Sequence, residues 1–389
     1  MIANALPLSS VSSLPLPAEG AALARLHLQN FRNYEALELE ISFRPIVLTG
    51  PNGAGKTNLL EAISFLSPGR GLRSANLREI DNQTKAEAWS VFAALKLPKG
   101  AVEIGTGREA TAAMDKRRTH IDGKAIRGQA GLAEYVSITW LTPAFDRLFT
   151  DGASDRRKFL DRLVFGLDPV HADRLSVYEK SLRERRQILE QPSYDSAWLE
   201  AIEESLACQG AAIAEARSHL INRLNEVMSA RPGHFPAAVL GLQGGIDEQV
   251  AAHGKDRAQE WLRARLAQNR ALDAEIGNAK YGPHRSDMLA SYAAKNQPAP
   301  LCSTGEQKAL LLSIILAHAK LIRDIRGAAP IVLFDEVAAH LDEQRRWALC
   351  QEITALHMQA WLTGTDADLF AGLKNQAQFL SLQSGIIES

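Results

Sequence analysis

The residues best suited to chemistry form one stretch, Gly50-Pro51-Asn52-Gly53-Ala54-Gly55-Lys56-Thr57, which satisfies the pattern G-x-x-x-x-G-K-S/T in full. Its three glycines free the backbone to wrap N–H groups around phosphates, and the helix N-terminus after them adds positive dipole. Lys56 would offset the charge of the β- and γ-phosphates, and the Thr57 hydroxyl would be a ligand for Mg²⁺. ATP and Mg²⁺ are the cofactors that such a loop implies. A second constellation ends the apolar run Pro330-Ile331-Val332-Leu333-Phe334 with Asp335-Glu336. Carboxylates at the C-terminal end of a buried parallel strand stand where α/β folds bind ligands. Asp335 would hold Mg²⁺, directly or through water, and Glu336 would orient and polarise an attacking water. Catalysis is therefore expected of Lys56 and Glu336.

Both groups need a scaffold. Pro45 to Thr49 reads as a buried strand entering the loop, with a helix from Lys56 to about Leu66 leaving it. Before them, Ala24, Leu26 and Leu28, then Leu37, Leu39 and Ile41, alternate with polar residues as antiparallel strands do. Lys56 and Asp335 lie 279 residues apart, so a large insertion separates two halves of one site. Part of that insertion, residues 65–130, holds 12 Lys/Arg against 7 Asp/Glu. Strand-like stretches there, Trp89 to Leu97 and Val102 to Thr106, are broken by basic turns. One of these, Lys116-Arg117-Arg118, is a candidate grip on DNA phosphates. Residues 155–230 are rich in Leu, Ala, Arg and Glu at helical spacing, and Ala258 to Ile276 resumes that pattern after a break at 231–254; the tryptophans of this stretch, Trp198 and Trp261, read as core. An apolar helix, Ala309 to Ile322, and the strand Ile331 to Phe334 return the chain to β/α character. The expected layout is a leader (1–20), a first part of an α/β head (21–150), a helical arm (151–279) and the rest of the head (280–389).

Composition narrows the setting. With 389 residues, 44 Lys+Arg, 45 Asp+Glu and 46% hydrophobic residues, the chain is globular and of balanced charge. A globally basic DNA binder is excluded; any nucleic-acid site is a local patch. Cys208, Cys302 and Cys350 are too few and scattered for a disulfide framework or a cysteine-based zinc site, which favours a reducing cytoplasm. No apolar run reaches 18 residues, so no membrane-spanning helix is expected. Residues 1–20 carry Pro7, Pro15 and Pro17 and no Lys or Arg, which suits a flexible leader better than a signal peptide.

Ser303-Thr304-Gly305-Glu306-Gln307 opens the apolar helix as a capping box, with Ser303 as N-cap and Glu306 at the third position. Standing 32 residues before Asp335, it also resembles the signature motif of ABC-type ATPases, and Leu341-Asp342 resembles their D-loop. Phe31-Arg32-Asn33-Tyr34, Asn58-Leu59-Leu60-Glu61-Ala62-Ile63, Asp155 to Asp161 and Tyr281-Gly282-Pro283-His284-Arg285-Ser286-Asp287 complete a pattern. From Ala21 on, the chain resembles the RecF family, bacterial recombination mediators and short relatives of the chromosome-maintenance ATPases. The resemblance implies an α/β ABC-type P-loop head, a mixed sheet flanked by helices, with an inserted helical arm. It implies ATP at Gly50 to Thr57 and Asn58, with Arg32 and Asn33 toward adenine or ribose. Ser303, Gly305 and Asp342 would face the γ-phosphate held by a second subunit. It further implies a weak, DNA-stimulated ATPase that dimerises on ATP, binds gapped or single-strand-containing DNA, and promotes RecA loading and the SOS response with RecR and RecO. Two positions depart from the family pattern, Ser286 and His340, which stand where acidic residues are usual; Thr363-Gly364-Thr365 stands where transporter ATPases place a phosphate-sensing histidine, so that sensor is absent or replaced by a threonine hydroxyl. A transporter head is disfavoured because its signature lies much closer to the phosphate loop and it lacks such an arm.

Overall fold

The computed structural model describes residues 21–388 except 85–86, 99, 111–114, 127, 231–232 and 384, so the expected leader over 1–20 lies outside the described residues. In chain order the strands are β1 (Ala22–Phe31), β2 (Tyr34–Glu40), β3 (Ile46–Thr49), β4 (Ser90–Leu97), β5 (Gly100–Ala110), β6 (Asp115–Ile121), β7 (Lys124–Ile126) and β8 (Ile138–Leu141). They continue as β9 (Ala238–Gln243), β10 (Asp287–Tyr292), β11 (Gln297–Pro298), β12 (Ile331–Phe334), β13 (Ala360–Gly364), β14 (Gln378–Gln383) and β15 (Ile386–Glu388). The helices are α1 (Lys56–Ser64), α2 (Leu132–Tyr135), α3 (Ala153–Phe165), α4 (His171–Leu189), α5 (Ser196–Ala230), α6 (Gly245–Gln268), α7 (Arg270–Ile276), α8 (Thr304–Arg326) and α9 (Glu343–Ala355).

Two six-stranded sheets face each other. The first, antiparallel, runs β2-β1-β4-β5-β6-β7; the second runs β15-β14-β3-β13-β12-β8, all parallel except β15. Side chains alternate across a strand, and the second sheet uses both faces. Ile46, Leu48, Ile331, Leu333 and Trp361 join the core shared with the first sheet and α1. Val47, Val332, Phe334, Ala360 and Leu362 join the opposite core, against α8 and α9. Burial on both faces is why β3 and β12 read as unbroken apolar runs.

The segment expected as an arm divides between cores. Tyr178, Leu199, Leu206, Ala214, Leu262 and Ala279 make a separate core among α4, α5 and α6. Phe159, Leu163, Leu220, Leu224 and Met228 instead pack into the head. The break at 231–254 contains β9, paired with β10, and the first turns of α6, which bends at Gly254 with φ 79. Two local expectations are corrected. Lys116-Arg117-Arg118 lies on strand β6 rather than in a turn, because it pairs with β5 through Glu109↔Lys116 to Gly107↔Arg118. Trp198, read from the sequence as core, is 56% exposed on α5.

Candidate nucleotide site

The parallel register of the second sheet assembles the site. Gly364 of β13 aligns with Thr49 of β3, and Leu362 with Phe334 of β12, so three strands end at one rim with β13 in the middle. The loop Gly50 to Gly55 leaves β3 there and turns into α1. Glycine is required at its two tight points. At Gly50, φ is 142 and a Cβ would lie 2.2 Å from the Leu382 carbonyl oxygen; at Gly55, φ is 109 and a Cβ would lie 2.8 Å from the Tyr34 hydroxyl. Pro51, Asn52 and Gly53 are exposed, whereas Ala54 is buried. Lys56 Nζ donates to the carbonyl oxygens of Gly50 (2.6 Å) and Pro51 (2.9 Å), so its ammonium lies inside the loop that it closes. Burial lowers the Lys56 pKa, and the charges of Glu336 and Asp335 oppose that shift.

The two halves separated in sequence meet directly. Thr57 Oγ1 donates to both Asp335 oxygens, at 3.0 and 3.1 Å, and Thr363 Oγ1 donates to Oδ1 at 2.9 Å. Burial raises the Asp335 pKa, opposed by these hydroxyls. Among the described residues no Lys or Arg hydrogen-bonds to this carboxylate. A hydroxyl and a buried carboxylate, both hard oxygen donors, fit Mg²⁺, which commonly takes one or two protein ligands and completes its shell with phosphate and water. No cluster of three or more His, Cys, Asp or Glu suited to a metal occurs among the described residues. Glu336 is exposed and has left-handed backbone, φ 50.

The neighbours of α1 give Arg32, expected toward adenine or ribose, protein partners. Arg32 does not point freely toward a base. It donates to Glu61 through two nitrogens, each at 2.9 Å, and to the Glu79 carbonyl at 2.7 Å. The Glu61 side chain is wholly buried and takes a third bond from Arg73 at 2.8 Å; a carboxylate without water needs such partners. Asn33 stays beside the loop, accepting from Asn58 Nδ2 at 2.7 Å, and Tyr34 donates to the Gly55 carbonyl at 3.1 Å. Glu61, Arg73 and Tyr34 were not assigned roles from sequence, although two of them fall inside the matched motifs.

The remaining site residues lie apart from the loop. Ser303 caps α8: its hydroxyl accepts from the Glu306 amide at 3.4 Å, and its own amide donates to Glu306 at 2.9 Å. Asp342 caps α9, accepting from the Arg345 amide at 2.8 Å, and Arg345 reaches the Gly305 carbonyl at 3.3 Å. Ser303 and Asp342 are exposed. Among the described residues, no hydrogen bond or ion pair joins Ser303, Gly305 or Asp342 to Gly50–Thr57. The basic cluster is also split. Arg117 donates to Thr106 (2.8 Å), the Gly69 carbonyl (2.9 Å), Gln129 (3.0 Å) and the Phe65 carbonyl, and burial lowers its pKa to about 9. Lys116 and Arg118 point to the exposed face, Arg118 pairing with Glu109.

Fold and loop define the class: an ABC-type P-loop ATPase head carrying an inserted helical arm. The chain belongs to the family described as RecF/RecN/SMC N terminal domain, which it matches over residues 22–388. It is 46% identical over 370 residues to the DNA replication and repair protein RecF of Allorhizobium ampelinum, covering 95% of this chain and 99% of that one. The RecF of Rhizobium meliloti is 45% identical over 365 residues, covering 93% and 97%. Among solved structures, the recombination mediator protein RecF with ATP superposes with a TM-score of 0.80 at 23% identity, covering 95% and 98% of the two chains. The Smc head domain of Pyrococcus furiosus superposes with a TM-score of 0.52 at 16% identity, covering 95% of each chain.

Proposed function

We propose that this protein is an ATP-switched DNA-binding protein of replication and recombinational repair. It binds ATP and Mg²⁺, hydrolyses ATP weakly with stimulation by DNA, and closes as a dimer on gapped or single-strand-containing DNA. The observation that carries the reading is the contact of Thr57 with Asp335 across 278 residues of chain, which brings a phosphate loop and an acidic strand end together. Gly50 to Asn58, with Asn33, would surround the phosphates and the nucleoside. Thr57 and Asp335 would hold Mg²⁺, which when bound neutralises phosphate charge. Lys56 would bind the phosphates and Glu336 would orient water. Ser303, Gly305 and Asp342 would serve the partner's nucleotide.

The names of the relatives support repair and replication as the setting. By the same likeness the partners are RecR and RecO, the outcome is RecA loading and the SOS response, and the location is the cytoplasm. Among the described residues no helix is long and apolar enough to cross a membrane. For DNA contacts the proposal keeps Lys116 and Arg118 and gives Arg117 the task of holding the loop after α1.

Turnover measured against protein concentration, with and without gapped DNA, tests this reading. A shared site requires specific activity to rise with concentration and with DNA. Specific activity that stays flat in both series would leave a monomeric ATPase and refute the clamp.

A further inference from the structure

We propose that Thr363 is a positioning residue for hydrolysis, its one hydroxyl locking Asp335 and the Glu336 backbone into a single arrangement. The inference rests on the role given above to Glu336. Thr363 is the penultimate residue of β13, the strand between those carrying the phosphate loop and the acidic pair, and it is 0% exposed. A threonine hydroxyl has one proton to give and lone pairs to accept with. Here the proton goes to Asp335 Oδ1 at 2.9 Å, and the oxygen accepts the Glu336 amide at 2.8 Å. Both neighbours in the acidic pair are thus bound to one atom.

That arrangement matters because Glu336 is in an uncommon conformation. At φ 50 and ψ 28 its backbone is left-handed, a region that non-glycine residues seldom enter and that persists only where surrounding contacts hold it. Along an extended strand, consecutive side chains point to opposite faces. The left-handed step breaks that alternation directly after Asp335, and both carboxylates act on the charge of Lys56. A hydrogen bond to the Glu336 amide fixes the residue at which the chain turns. Thr57 also donates to Asp335, but it is already assigned a role toward the cation. Thr363, buried and committed on both sides, is the hydroxyl whose whole capacity goes to the acidic pair.

Thr363→Val keeps the shape and removes the hydroxyl, leaving the Glu336 amide without its acceptor and Asp335 with Thr57 as its remaining hydroxyl donor. The test compares wild type, T363V, T363S, E336Q and the T363V/E336Q double variant. It reads kcat and KM for ATP, and binding of a non-hydrolysable ATP analogue with and without Mg²⁺. T363V should lower kcat by about tenfold or more, the range seen when groups behind a ligand are removed. It should also shrink the gain in analogue affinity that Mg²⁺ brings, while Mg²⁺-free binding, which depends on the loop, stays unchanged. T363S should restore kcat. In the E336Q background T363V should add little, because the two changes disable one arrangement.

A T363V protein with wild-type kcat would overturn the proposal. So would a T363S protein as impaired as T363V, or losses that multiply in the double variant. An E336Q protein that hydrolyses ATP normally would instead remove the role assigned to Glu336, a separate failure. If T363V melts too low to assay, T363C, whose thiol is a poor donor and acceptor, repeats the comparison.

Discussion

At the scale of single residues, the carboxylate buried on the helix that follows the phosphate loop is matched by two cations. Glu61 on α1 has no exposed side-chain surface and is held by Arg32 and Arg73. Arg32 itself is left-handed, φ 54, at the turn between β1 and β2, so the β-hairpin and the loop helix are joined by one bidentate pair. Arg32→Ala would leave Glu61 with Arg73 alone, at a cost of about 2 kcal/mol for a lost charged hydrogen bond in a buried setting. The expected result is a lower urea midpoint with ATP affinity little changed once the protein is folded. An adenine contact predicts the reverse, weaker ATP binding at unchanged stability. Denaturation and nucleotide titration on one variant separate the two.

At the scale of elements, α5 is the long member. Its 35 residues span roughly 50 Å at 1.5 Å per residue, and its two ends pack into different cores. Where it leaves the arm, Arg217 is buried, donating to Asp161 of α3 at 2.8 Å and to the Pro283 carbonyl at 2.7 Å. The Gly-Pro-His-Arg segment therefore works as a joint: His284 donates to the Ala279 carbonyl and accepts from Tyr178 of α4. A second histidine, His318 on α8, is buried against Leu163 of α3. Burial lowers both histidines to about 4, so the folded protein keeps them neutral. The unfolded chain protonates them below about 6.5 and then binds more protons, so stability rises with pH across this window. It should be complete above about 6.5 and fall between there and about 4, by roughly 1.4 kcal/mol per pH unit for each histidine. His318→Gln should flatten that slope in urea melts run from pH 4 to 7; an unchanged slope would mean that His318 titrates normally. Much of this layer was legible in the sequence. β12 lies where its apolar run is, and α8 begins at its capping box. What was not legible depends on partners far away in the chain. Arg117 reads as a surface cation until Phe65 and Gly69 curl around it, and Thr363-Gly364-Thr365 reads only as the place of a missing sensing histidine until Thr363 meets Asp335 and Glu336. Trp198 misled because apolar character states a preference for burial, not whether a neighbour is there to provide it.

At the scale of the whole molecule, the groups expected around one ATP do not converge within one chain. The loop and acidic pair occupy the rim of the second sheet, while Ser303 and Asp342 stand exposed at the starts of α8 and α9, tied to each other through Arg345 and Gly305. A site completed by a second copy accounts for both facts, and Ser303 is where the alternatives part. As a helix cap alone, Ser303→Arg costs about 1 kcal/mol of stability and leaves ATP chemistry intact. As a group serving the partner's phosphate, it blocks ATP-dependent dimerisation and turnover while each monomer still binds ATP. Lys56→Ala makes the complementary lesion, a failed loop beside an intact Ser303. In a mixture of the two, the heterodimer contains one complete site, built from the Ser303→Arg subunit's loop and the Lys56→Ala subunit's helix start. Two preparations inactive alone should therefore recover partial turnover together, in proportion to the heterodimer seen by sedimentation. Heterodimers that form and stay inactive, or full turnover by Ser303→Arg alone, would show that each chain completes its own site.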